Sequence, residues 1–184
     1  MIIFSLWLPI LLSAIAVFVA SSIIHMLLGY HRGSYHKIPD EDTFLAKLQA
    51  LELSAGEYMY PYAGDSAALN TQEFQDKMKN GPSGMLIAYP KGGYSMLKNL
   101  SWWFIYSLIV GCFTAYIAGI ALPSDASYLK VMQLVGAVAF SGYGLALIQQ
   151  SVWFSRPWST TFKFLFDALI YGLVTGGVFG WLWI

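Results

Sequence analysis

The chain has 184 residues and no net charge at pH 7; 57% of its residues are hydrophobic and only 11% are charged. Soluble domains carry roughly 25% charged residues, and here fifteen of the twenty charges fall between positions 29 and 99. Outside that segment stand only Asp125, Lys130, Arg156, Lys163 and Asp167, which excludes an ordinary soluble globule; with no basic tail or stripe, a nucleic-acid partner is excluded as well.

Residues 2–28 are uncharged. A bilayer core of about 30 Å takes about twenty apolar residues as a helix, so this run is long enough to span. Ala20-Ser21-Ser22 loosely resembles a signal-peptide cleavage site, but no basic residues precede the apolar stretch and the stretch exceeds a signal core. It is therefore expected to persist as a first transmembrane helix, 1–28.

The three histidines, His25, His31 and His36, follow within twelve residues at the end of that span, a clustering that invites a metal or haem reading. On one continuous helix His25 and His31 lie about 240° apart, and His25 and His36 share a face but stand roughly 16 Å apart. Convergence needs a bend at Gly29 or Gly33. The later spans hold no histidine to complete a bis-histidine haem site. The expectation is interfacial or pairing histidines, with no metal and no cofactor.

Residues 29–99 read as a small α/β insertion. Pro39-Asp40 with Glu41 and Asp42 suits a helix start, Phe44, Leu48 and Leu51 recur on one face beside Leu45, and Gly56 offers a stop. Residues 57–62 and 84–89 are expected strands, with Pro61 confining the first to an edge. Between them a short helix is expected from Asn70, with Glu73 three residues on as in a capping box, to Gly81-Pro82. Two strands and two short helices make a thin core. The apolar face is expected to rest on lipid, on the helix ends or on another protein, or else the unit folds alone.

A three-helix transmembrane region fills 100–184, with spans about 100–122, 131–154 and 161–184. Pro123 ends the second span, Pro157 interrupts between the third and fourth, and hydroxyls at Ser159-Thr160-Thr161 can cap the last. An even number of spans puts nine of the ten Lys and Arg residues on one face, leaving Lys130 on the other. The positive-inside rule makes that face cytoplasmic and leaves both termini outside. Trp7, Trp181 and Trp183 at outer ends, and Trp102, Trp103, Trp153 and Trp158 at inner ends, agree with this orientation. Cys112 lies inside an apolar run, with no partner for an intrachain disulfide.

Packing in lipid depends on close backbone approach at small residues. Gly172, Gly176 and Gly180 form one such stripe, and Gly111, Ala115 and Gly119 another, so the second and fourth helices are expected to make tight contacts there. Asp167, the acid nearest a span, follows Lys163 by one turn and can pair with Lys163 or Arg156. With His25, His31 and His36 these residues form a candidate polar cluster at the inner rim, which Gln149 and Gln150 can join. Nothing resembles a phosphate loop, a nucleophile elbow, a metal-binding Cys-x-x-Cys, or the midplane charges and matched broken helices of an ion-coupled transporter. No catalytic residue is assigned, and an enzyme is the less favoured class.

Residues 21–26 (SSIIHM), His31, residues 38–42 (IPDED), residues 156–161 (RPWSTT), Phe166-Asp167 and residues 180–183 (GWLW) resemble an uncharacterised family of small bacterial four-span inner-membrane proteins. The resemblance covers essentially the whole chain. It implies a bacterial inner membrane and no active site. The functional expectation is an accessory, assembly or structural subunit of a larger inner-membrane complex, with lipids and other subunits or itself as partners. The alternatives are a homo-oligomeric transporter or channel component, and a metal- or haem-binding subunit using the histidines.

Overall fold

A long uncharged run can satisfy its own backbone polar groups in lipid only as a helix. The computed structural model describes residues 5–93 and 95–183, and it holds four helices long and apolar enough to cross a membrane. The first begins as α1 (Trp7–Ser22) and widens into a π-helical turn, Ile23–Leu28. The second is α4 (Met96–Ala121), and the third runs from α5 (Tyr128–Tyr143) through a 3₁₀ turn at Leu145–Leu147 into α6 (Ile148–Phe154). The fourth is α7 (Trp158–Trp181). These belong to one unit, Met1–Tyr35 with Met96–Ile184; His36–Ser95 form a second.

Within the first unit each long helix packs on two others: the first on the second and fourth, the third on the second and fourth. One core cluster joins Leu6 and Ile10 to Ala115, Ala118, Val131, Val135 and Phe179; another joins Val17 and Ile24 to Val110, Ala139, Tyr143, Ala168 and Tyr171. The start of the first helix thus meets the end of the second, the start of the third and the end of the fourth. The four alternate in direction.

The bundle is apolar on its outer surface as well as in its core, and it buries polar side chains among the apolar ones. Ser13, Ser21, Ser107, Thr114, Ser151, Thr160, Thr161, Asp167 and Thr175 are buried, while Ile15, Val19, Ile109, Phe113, Ile120 and Leu173 face outward. Several interior hydroxyls return to their own helix: Ser13 donates to the Ile10 carbonyl, Ser107 to that of Trp103 and Thr175 to that of Tyr171. Others tie helices together. Trp103 Nε1 donates to Ser21 Oγ at 2.9 Å, Tyr106 donates to the Gly142 carbonyl at 2.5 Å, and Ser151 and Thr161 share a hydrogen bond of 2.7 Å. Thr161 therefore ties two helices together rather than capping its own. The first turn of α7 has no side-chain cap and follows Pro157 directly.

The glycine stripe of α7 faces α5. A Cβ on Gly172 would stand 2.8 Å from the Gly136 carbonyl oxygen, and one on Gly176 would stand 2.6 Å from that of Met132. Gly180 lies against the Tyr128 ring. In α4, Gly111 lies against Ile10 of the first helix and Ala115 is fully buried in the cluster there. Gly119 is half-buried. Each stripe thus serves a sequence neighbour.

The second unit holds α2 (Glu41–Ala50), α3 (Gln72–Asn80) and strands β1 (Gly56–Tyr60) and β2 (Gly84–Ala88). The strands pair antiparallel, with Tyr58 opposite Leu86 and Met59 opposite Met85. Pro61 falls just beyond β1. Thr71, not Asn70, caps α3 by accepting from the Phe74 amide, while Glu73 turns to Lys77, 2.5 Å away. That contact holds the Glu73 carboxyl below its usual range. Gly56 opens a strand instead of closing α2; the chain leaves that helix through Leu51, and Glu52 takes a positive φ of 49°.

Replacing Gly176 drives carbon into backbone that has no rotamer to move. Gly176→Leu is expected to lose stability at or beyond the upper end of the roughly 1–3 kcal/mol typical of overpacking. Gly177→Ala, whose Cβ meets nothing closer than the Tyr128 hydroxyl at 3.6 Å, is expected to be tolerated. Thermal unfolding of both variants in detergent checks this pair.

Candidate functional site

At the end of the first helix the chain does not continue in α geometry. After the π turn, Gly29 adopts φ +64° and the chain closes into a short 3₁₀ turn at Arg32–Ser34. The reversal carries Tyr30 and His31 back onto α7. Helical spacing had set His25 and His31 apart; the bend at Gly29 brings their ring centroids to 4.5 Å.

Both histidines converge on Asp167, whose side chain is 2% exposed. His31 Nε2 lies 2.8 Å from Asp167 Oδ2, and His25 Nε2 lies 3.8 Å from the same oxygen. The Tyr30 hydroxyl donates to Oδ1. Both carboxylate oxygens are thus engaged, as a buried anion requires. The His31 ring is mostly buried, stacked between Tyr30 and Phe164 at centroid distances of 4.4 and 4.8 Å. Its Nδ1 has no partner among the described residues. The His25 side chain is 40% exposed, so the cluster opens outward on that side.

The expected pairing of Asp167 with Lys163 or Arg156 is replaced by these contacts. Lys163 donates to Ser34 Oγ at 3.3 Å, and the Arg156 guanidinium lies 4.5 Å from the Phe164 ring centroid, a cation–π arrangement. Lys163 thus braces the loop after the first helix, and Arg156 packs on α7 itself. His36 lies in the other unit and is exposed. Gln149 and Gln150 are exposed, and the Gln150 carbonyl receives the Arg156 amide. Beside Tyr30 runs a cleft of about 320 Å³ lined by Ser159, Phe162, Lys163 and Phe166.

Tyr30 is the participant that residue-by-residue reading missed. Its signal was its place directly after Gly29 and before His31. Comparison with family models, curated proteins and solved structures finds no match for the chain.

Burial above all, joined by the positive charge of His25, Lys163 and Arg156, pushes the His31 pKa below the ordinary histidine value. The unfolded chain therefore takes up a proton first as pH falls through about 6.5, and stability declines below that point while staying level above it. An NMR titration of His31 in micelles is expected to give a midpoint under about 6.5; a higher midpoint would mean that the Asp167 carboxylate outweighs burial. Tyr30→Phe strips one donor from a buried carboxylate and is expected to cost about 1.5–3 kcal/mol, measurable as a lowered unfolding midpoint.

Proposed function

We propose that the protein is a multi-pass accessory subunit of a bacterial inner-membrane complex, holding its 36–95 unit at the cytoplasmic surface for a partner subunit. The observation that carries this reading is the exposure of that unit's apolar side chains. No described residue between His36 and Ser95 is fully buried. Directly opposed residues of an antiparallel pair share a face. Met59, Met85 and Ile87 accordingly lie on one side of the sheet, with Met59 58% and Ile87 51% exposed. Leu45 and Leu51, at 54% and 63%, stand equally open at α2. A unit this small buries too little surface to stand comfortably alone.

The membrane assignment draws support from the apolar exterior of the bundle, and its orientation from nine of the ten Lys and Arg residues: seven lie between the first and second or the third and fourth long helices, and Lys98 and Lys163 lie near the starts of α4 and α7. A structural role is supported by the Trp103–Ser21 and Ser151–Thr161 hydrogen bonds, which tie helices together.

A photo-crosslinking residue at Ile87, activated in native membranes, is expected to yield one discrete adduct with a different protein, lost when Met59 and Leu51 are both changed to Asp. An adduct of twice the chain's mass would favour the homo-oligomeric alternative. Crosslinks to lipid only would sink the subunit reading.

A further inference from the structure

We infer that His25, His31 and Asp167 form a binding site for one divalent first-row transition-metal ion, which latches the loop after the first helix onto the fourth. This goes beyond the accessory role and does not depend on it. The donor atoms of the three side chains all lie within 4.8 Å of one another. They come from two chain segments more than 130 residues apart in sequence, so an ion held between them closes the rim.

Tetrahedral nitrogen and oxygen ligands at about 2.1 Å from zinc stand roughly 3.4 Å apart. The His31–Asp167 and His25–Asp167 separations, 2.8 and 3.8 Å, bracket that value. The three donors spread over as much as 4.8 Å, so coordination also draws the two imidazoles together, by about an ångström. Tyr30 on Oδ1 leaves Oδ2 facing both imidazoles and fixes the carboxylate plane, as an outer hydrogen bond does for a metal ligand.

The donor set also selects the class of ion. Two imidazoles and one carboxylate suit zinc, iron, cobalt or nickel, whereas calcium and magnesium require mostly oxygen. Lys163 and Arg156 oppose any divalent cation at this site, so binding depends on the metal–imidazole bonds. In the metal-free arrangement the His31 Nε2–H donates to Asp167. Coordination through Nε2 places the ring proton on Nδ1, which meets no acceptor among the described residues, so the metal–ligand bonds must outweigh that buried donor. The exposed edge of His25 provides the access route, and a solvent molecule completes the fourth position.

Full-length protein in detergent, stripped with chelator and dialysed against zinc, is expected to retain one zinc per chain by elemental analysis. Cobalt in its place is expected to show visible absorption bands of a low-coordinate nitrogen–oxygen site. His25→Gln removes one of the three ligands while leaving the Tyr30 and His31 hydrogen bonds to Asp167 in place, and is expected to weaken binding at least about tenfold; the metal-induced rise in the unfolding midpoint is expected to shrink with it. His36→Gln is expected to bind as the parent does. Absence of stoichiometric zinc and cobalt, binding indifferent to His25→Gln, or loss on His36→Gln would each overturn the assignment.

Discussion

The backbone-to-backbone approach of α5 and α7 is the constraint from which the remaining arrangement follows. Gly172 and Gly176 admit the carbonyls of Gly136 and Met132 at distances that no side chain tolerates. In lipid there is no hydrophobic gain from pressing leucines together, so such proximity, with its dispersion contacts, is the principal source of helix cohesion. Once α7 is seated against α5, Ala168, Tyr171 and Thr175 turn into the bundle, and Asp167 reaches the rim on the same side. The first helix then has a fixed surface to meet.

A second consequence concerns charge. An acid within a membrane-spanning helix is costly unless it is paired. Asp167 acquires its partners from a loop, not from its own helix: Tyr30 and His31 reach it because Gly29 permits a left-handed turn. Lys163, one turn away along α7, instead secures Ser34 and so the same loop from below. The anion and the cation thus do complementary work on one short segment, and the aromatic faces of Tyr30 and Phe164 enclose the ring between them.

Much of this was legible before any coordinates. Uncharged runs and prolines mark the four long helices to within a few residues, because chain length in an apolar medium leaves no other secondary structure. The glycine stripes were equally plain as four-residue spacings. Their partners were not, since spacing names the face of a helix but not what lies across it. The histidines show the sharper limit. Extending helical geometry past Leu28 set His25 and His31 on different faces, and one positive φ at Gly29 undoes that arithmetic. Gly29 and Gly33 marked where a bend was possible, but its direction depends on Asp167, 136 residues downstream of His31. Local hydroxyls mislead in a similar way: Thr161 resembles a cap in sequence, yet a buried neighbour, Ser151, claims it.

The separations along the chain have a kinetic side. The Ser151–Thr161 hydrogen bond closes ten residues, and the glycine approach joins adjacent helices, whereas Tyr30 and Asp167 close 137. Loop-closure entropy rises with the length enclosed, and contacts between distant residues form at the greater entropic expense. The hairpin of the third and fourth helices therefore has the cheapest route to its native contacts, and docking of the first helix has the dearest. The first helix is therefore the element whose docking carries the largest closure cost, and the histidine–aspartate rim is where the bundle recovers that cost.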